Sequence, residues 1–400
     1  MVTEFNTGFS DKEESFKSGK NAAEKALEKT GEEPELVIVF CSSKKNYEEV
    51  LKGIKEVVGD KKIIGASSYG EFTEEEIGDG GVAVGLLTSD EKEFYTGIGP
   101  NLSESGISSI KDATKDFPDE IDKENALSLL FLDGLSGNAE EAAYAVNSEL
   151  GYKVSVAGGQ AADDLKMEET VVLHDENSYT DHSGVALITS DKDFSITVEH
   201  GHEPLSDSLE VTESEGNVVK ELDGQPAFEV WSEKVKESAK ERLGIDLEDI
   251  EEKNQDLNNL FWQYELGIEV PDSDDRYKIR WPGLTDSLEG PMVFSSRVVE
   301  GSKLRVMKPA SEDSQVEASR RAAEKAVEDI EKDDIAGVIV FECAVRRTIL
   351  GDDFPESVQQ LKNVFDAPIL GLETYGEICI DDERISGLHK CTTIVVVIPK

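Results

Sequence analysis

The decapeptide "IIGASSYGEF" at residues 63–72 returns near the carboxyl end as "ILGLETYGEI" at residues 369–378. Gly65 matches Gly371, and Tyr69-Gly70-Glu71 matches Tyr375-Gly376-Glu377. A strand and turn written twice implies a chain built from copies of one unit, which restricts the architecture more than any other feature here. The flanking segments agree. "KNAAEKALE" (20–28) returns as "RRAAEKAVE" (320–328); each carries apolar residues at helical spacing after an N-cap candidate, Ser10 and Ser311, and each precedes a β-branched run, "LVIVF" (36–40) and "GVIVF" (337–341). A third copy lies between them. "LSLLFLDG" (127–134) reads as a strand, "GNAEEAAYAVNSEL" (137–150) as a helix capped by Asn138, and "KVSVAGGQAADD" (153–164) as the next strand, with Ala-Asp-Asp in place of Tyr-Gly-Glu.

Two further segments of similar wording, residues 81–99 and 184–201, read as hairpins bent at Ser-Asp. The unit is therefore helix–strand–helix–strand–turn–hairpin. A crossover helix makes its two strands parallel and a hairpin adds antiparallel ones, so the expected fold is α/β, with duplicated units forming mixed sheets in two related halves. At roughly 100–200 residues per domain, a chain of this length divides in two, at 1–205 and 206–400. Residues 203–307 depart from the repeat: two strands joined at Glu-Gly, a helix entered at Pro226, a charged helical segment at 246–256, then more strands.

Acidic residues number 86 against 41 basic, for a formal net charge of −45. Such self-repulsion is tolerable where salt screens it, which points to a salt-adapted cytoplasm of the halophile kind. Nucleic-acid backbone binding needs Lys and Arg to release counterions, so no nucleic-acid partner is expected. The four cysteines, Cys41, Cys343, Cys379 and Cys391, show no Cys-x-x-Cys spacing and no disulfide framework. The amino terminus lacks the basic and apolar regions of a signal peptide, and the longest apolar runs are strand-length, so neither export nor a membrane partner is expected.

Known catalytic signatures are missing. "GASSYG" carries its second glycine one position too late for a nucleophile elbow, "GLSG" is one position short, and neither a P-loop nor a dinucleotide fingerprint occurs. Of five histidines, His200 and His202 in "EHGHE" lie on one side of an extended strand, as a metal could use; without a third ligand in view they read as solvated strand-end residues, and no metal or cofactor is expected. The remaining candidate is geometric. Ligands of open α/β sheets collect beyond the carboxyl ends of parallel strands. There "ECAVRRTILG" delivers Cys343, Arg346 and Arg347, and "GLETYGEI" delivers Glu373, Tyr375, Gly376 and Glu377. An Arg fork suits a carboxylate and Glu suits an ammonium, so an amino acid or similar zwitterion would satisfy both. The corresponding edges carry Asp133, Asn138, Asp163 and Asp164 in the middle copy, and Ser42, Ser43, Lys44, Ser67, Tyr69 and Glu71 in the first. Repetition also has a plain structural reading, in which the turn is what each copy of the fold requires. Cys343 reads either as a lining residue or as a nucleophile activated by the arginines, with His389 as its base.

The pieces "GASSYGEF", "VAGGQAADD", "VTESEGNVVKELDGQPAFEVW", "FECAVRR" followed by "LGDD", "ILGLETYGEI" and "SGLHKCT" together resemble the FIST family, a sensory module with N- and C-terminal FIST regions. The resemblance implies a cytoplasmic ligand-sensing domain proposed to bind small molecules such as amino acids, in a family often joined to histidine kinases, cyclases, chemoreceptors or F-box segments. Carried over, it marks Cys343, Arg346, Gly376, Glu377 and His389. Lys390 departs from the pattern, where Asn is more usual after the histidine. No output segment is recognisable in these 400 residues, so signalling is expected to run through a protein partner in trans. The leading expectation is a small-ligand sensor with its site at the C-terminal edge; a cysteine-dependent enzyme and a ligand-free scaffold are the alternatives.

Overall fold

The computed structural model describes residues 3–30, 32–250, 255–271, 276–311, 313–328, 330–380 and 387–400. Three copies of one unit are present. In the first, the parallel pair Leu36–Ser42 and Lys62–Ser68 is extended by Val82–Thr88, which runs antiparallel to both Leu36–Ser42 and the opening strand Glu4–Ser10. The second repeats this with Asn125–Leu132 and Val154–Gln160 as the parallel pair, flanked by His182–Ser190 and Phe94–Pro100. In the third, Ile335–Cys343 and Ile369–Thr374 are parallel, flanked by Thr393–Pro399 and Ser195–Glu199. The expected mixed sheets are all there. Parallel strands buried on both faces read as unbroken apolar runs, which is why "LVIVF", "LSLLF" and "GVIVF" were legible.

Each sheet is completed by a hairpin from another unit. The first unit's Glu71–Thr73 and Ile77–Gly78 add to Ile369–Thr374 of the third. The third unit's Glu377–Ile380 and Gly387–His389 add to Val154–Gln160 of the second. The second unit's Val172–His174 and Asn177–Tyr179 add to Lys62–Ser68 of the first. The exchange runs in a closed ring. At its centre Phe40, Phe131 and Phe341, one from each central strand, meet ring to ring at 6.0, 6.1 and 6.4 Å. They anchor a single core drawn from all three units.

Helix pairs cover the outer faces. Ser15–Glu28 crosses Tyr47–Val58 at Gly19 and Gly53, where a Cβ would stand 2.2 Å from the Val50 carbonyl oxygen and 2.1 Å from that of Phe16. Only glycine permits this approach. The third unit's pair, Ser314–Ala326 and Phe354–Val364, meets instead through a bond of 2.6 Å between the Ser319 and Ser357 hydroxyls.

Two local expectations differ from the structure. The strands on either side of each Ser-Asp bend do not pair with each other; the second of them opens the next unit, Phe94–Pro100 against His182–Ser190 and Ser195–Glu199 against Thr393–Pro399. A bend between two strands looks alike whether they pair locally or part company. Ser10 and Ser311 are not N-caps either, since the helices begin at Ser15 and Ser314; Ser10 ends a strand, and its carbonyl accepts from the Ser18 hydroxyl.

Between Glu199 and the helix Ser314–Ala326 the chain builds a separate layer. The strands Leu209–Glu215, Val218–Leu222, Leu266–Glu269, Tyr277–Arg280 and Lys303–Pro309 form most of an antiparallel sheet, packed on Ala227–Leu243 and Gln255–Gln263. Pro226 stands at the N-cap of Ala227–Leu243, and the buried Trp231 indole donates to the Tyr264 carbonyl at 2.9 Å. The layer opens with His202–Pro204, which pairs antiparallel with Lys303–Pro309. Of the charged segment 246–256, residues 247–249 form one tight turn, 255–256 open the next helix, and 251–254 lie outside the described residues. Among the described residues no helix is long and apolar enough to cross a membrane.

Candidate functional site

The residues singled out from sequence gather at the carboxyl edge of the third unit's parallel strands, and most of them are sealed. Arg346 is fully buried, and each of its nitrogens donates within the protein: Nε to the Glu342 carboxylate, Nη1 to Gln315 Oε1 at 2.7 Å, Nη2 to the Gln315 carbonyl at 2.8 Å and Ser319 Oγ at 2.9 Å. The fork expected to face a ligand carboxylate instead ties the central strand to the helix Ser314–Ala326. Arg347, its side chain 22% exposed, donates to Glu373 Oε1 at 2.5 Å and to the Gly78 carbonyl at 3.1 Å, with its guanidinium 4.9 Å from the Phe354 ring. Glu373 is fully buried, and among the described residues its Oε2 has no hydrogen-bond partner. Burial pushes its carboxyl up to about 8 against the pull of Arg347, and Glu71 and Glu342 add to the rise.

Glu377 shows what the Tyr-Gly-Glu turn is for. It accepts from Thr374 Oγ1 at 2.8 Å, three residues back, and from the Thr392 amide at 3.2 Å, just ahead of the unit's last strand. In the first unit Glu71 accepts from Ser68 Oγ at 2.6 Å and from the Gly81 amide at 2.5 Å, again just before the last strand. Burial raises both carboxyls, Glu377 to about 7. The backbone is matched too. Tyr69 N donates to the Glu373 carbonyl at 3.1 Å, Tyr375 N to that of Gln160 at 3.1 Å, and Ala162 N to that of Ser67 at 2.9 Å. These bonds stitch the three turns into the ring of exchanged hairpins.

Gly376 is pinned beside Gln160 and Lys390, where a Cβ would stand 2.5 Å from Gln160 Oε1 and 2.6 Å from Lys390 Nζ. The Lys390 ammonium, lowered by burial, donates to Gln160 Oε1 at 2.9 Å and to the Tyr375 carbonyl at 2.5 Å. The residue that departs from the family pattern is thus a buried tie between the second and third units. His389 is buried in the last hairpin. Cys343 is buried, and burial raises its thiol well above the ordinary value, with Glu377 adding to the rise. That is the reverse of the lowering a nucleophile requires.

A cleft lies one step around the ring. Tyr375 is half-buried, and its hydroxyl donates to Asp163 of the second unit. Asp163 borders a cleft of about 460 Å³ between the first and second units, at the carboxyl ends of their parallel strands. The first unit contributes Ser43, Lys45, Asn46, Tyr47 and Glu48; the second contributes Asp163, Lys166, Glu168, Glu169 and Ser178. Asp163 organises one wall by accepting from the backbone amides of Met167, Glu168 and Glu169 at 3.0, 2.7 and 2.9 Å. Lys166 Nζ reaches Ser43 Oγ across the cleft at 2.8 Å. Asp164, Leu165 and Met167 all take left-handed backbone (φ +59°, +59° and +55°), strained for residues with side chains, and Leu165 and Met167 are exposed. Of this cleft the sequence reading had Ser43 and Asp163 but not Lys45, Glu48, Lys166, Glu168 or Glu169. "SSKK" directly after a strand and "DDLKMEE" directly after a turn were the available signals.

Residues 35–225 match the FIST N domain and residues 227–380 the FIST C domain, most of the chain between them. The chain belongs to the FIST family. FIST domains are signal-transduction sensory domains. An uncharacterized protein of Methanocaldococcus jannaschii is 24% identical to this FIST protein over 379 residues, 90% of this chain and 70% of its own length. Among solved structures, a cyanuric acid hydrolase from A. caulinodans aligns at 10% identity over 48% of this chain and 72% of its own, with a TM-score of 0.28. A second cyanuric acid hydrolase structure aligns at 10% identity over 78% of this chain and all of its own, with a TM-score of 0.26. Likeness at that level carries no argument about activity.

Proposed function

We propose that this FIST protein is a cytoplasmic sensor of an amino acid or similar zwitterionic metabolite, bound in the cleft between the first and second units. The observation that carries the reading is that cleft: an opening at the strand edge where α/β sheets hold ligands, with Lys45, Lys166, Glu48, Glu168 and Glu169 all in its lining. The lysines suit a carboxylate and the glutamates an ammonium. The left-handed loop 164–167 is the element a ligand would rearrange. Tyr375, through Asp163, joins the cleft to the third unit, where the partly exposed Arg347 pairs with the buried Glu373. The signal would pass as a change of surface to a separate protein partner, since a ligand shifts only equilibria whose states it binds differently.

The experiment is a thermal-shift screen of the full chain in high salt against amino acids and related metabolites. A ligand bound only by the native state adds RT ln(1 + [L]/Kd), about 2.7 kcal/mol at a hundredfold excess over Kd. The reading expects a shift from one chemical class that Lys166→Ala weakens and Arg346→Lys, a change within the buried network, does not. A shift that survives Lys45→Ala and Lys166→Ala together but fails in Arg347→Ala would move the site to the third edge. No shift across the screen would leave the cleft without a ligand of this class.

A further inference from the structure

Three segments far apart in sequence meet in a second place, away from the cleft, where the inserted layer rests on the third unit. His202 comes from the strand His202–Pro204, Glu265 from the turn between Gln255–Gln263 and Leu266–Glu269, and Cys391 from the turn after Gly387–His389. One donor atom from each lies within 4.8 Å of the others, with His202 Nε2 3.8 Å from Glu265 Oε2. The side chains of His202 and Glu265 have no solvent exposure, so the sequence reading of His202 as a solvated strand-end residue does not hold.

What marks the cluster is its lack of ordinary partners. Among the described residues, neither His202 Nε2 nor either Glu265 carboxylate oxygen has a nitrogen or oxygen hydrogen-bond partner. The Cys391 thiol, a weak donor, stands beside that carboxylate, and the Lys390 ammonium and the Glu377 carboxyl act on it electrostatically. Tyr277, Ile279 and Met307 pack with Cys391 on one side, and a buried carboxylate without a hydrogen bond is costly there. Cys391 itself sits in left-handed backbone (φ +53°), a conformation that needs a reason in a residue with a side chain.

We propose that His202, Glu265 and Cys391 bind one zinc-class transition-metal ion that fastens the inserted layer to the third unit. A divalent ion with one thiolate and one carboxylate is electrically neutral, which resolves the burial. Imidazole, thiolate and carboxylate together suit Zn²⁺ or Co²⁺ and disfavour Mg²⁺ and Ca²⁺, which take oxygen ligands. Three protein donors leave a fourth position for water. Coordination through Nε2 puts the ring proton on Nδ1, which faces the Gln315 side-chain amide at 3.5 Å. The amide must then turn its oxygen to the ring, giving up its contact with Arg346 Nη1, while Arg346 keeps the Gln315 carbonyl and Ser319.

The test uses the full chain, freed of metal by a chelator and titrated with Co²⁺ as the probe. The wild type is expected to take up about one equivalent with a thiolate-to-cobalt charge-transfer band, and Zn²⁺ to displace it. Cys391→Ser should lose the band, Cys41→Ser and Cys379→Ser should keep it, and Glu265→Gln should keep it with affinity lowered at least about tenfold. Wild-type protein that shows no saturable uptake, or a band that persists in Cys391→Ser, overturns the proposal. If Cys391→Ser does not fold, the wild-type stoichiometry and the Glu265→Gln affinity decide.

Discussion

The first and third units present the same turn, and the comparison separates what the fold needs from what one copy added. Glu71 and Glu377 do the same work, each accepting from a hydroxyl three residues back and from the amide that leads into the last strand. Two positions before each tyrosine the units differ. Ser67 is neutral, and its hydroxyl accepts from the Val171 amide at 3.0 Å, whereas Glu373 is a buried carboxyl balanced by Arg347. The repeated motif is architecture, and the unrepeated residues beside it carry the charge. Arg346 is spent inside the protein, and the cleft of about 460 Å³ lies between the other two units.

The largest effect should come from Arg346→Ala, which leaves Glu342 buried without its partner and should cost about 3–5 kcal/mol. Denaturant unfolding in high salt measures it; a loss below about 1 kcal/mol would show that Arg346 is not the internal tie described. Next, Glu71→Ala and Glu377→Ala should each cost about 1–3 kcal/mol and by similar amounts, because each strips equivalent buried donors. A loss confined to Glu377 would break the equivalence of the two turns and return the third to a special role.

The pH dependence sharpens the contrast at Ser67 and Glu373. A carboxyl whose folded pKa is raised binds its proton more tightly in the native state. Its contribution is full below the ordinary carboxylate range and is lost as pH rises toward and through about 8. Wild-type stability should fall across that window more steeply than that of Glu373→Gln, and Ser67→Ala should leave the slope unchanged. Parallel pH–stability curves for wild type and Glu373→Gln would contradict this. The smallest effect belongs to Lys166→Ala, on an exposed cleft wall, which should change stability by under about 0.5 kcal/mol. Its loss should appear in ligand-induced shift rather than in unfolding of the free protein.

Much of this molecule could be read in advance because its information is local. The apolar runs at 36–40, 127–131 and 337–341 had to be buried parallel strands, and the repetition of "YGE" had to mean repeated units. The edge at which Cys343, Arg346, Glu373, Tyr375 and Glu377 gather followed from strand direction alone. Burial at that edge did not. Nothing in "ECAVRR" tells that Gln315 and Ser319, on another helix, take up the donors of Arg346 while those of Arg347 go to Glu373 and to Gly78. Nor does a bend between two strands tell whether they pair. The hairpins cross from unit to unit, and the cleft of Lys45 and Lys166, like the meeting of His202, Glu265 and Cys391, exists only because distant segments are carried together. Strand identity and repeat number are set by near neighbours along the chain, so the sequence determined them unaided. Which polar groups face water and which face each other depends on contacts between residues remote in sequence, and the tertiary structure decided that.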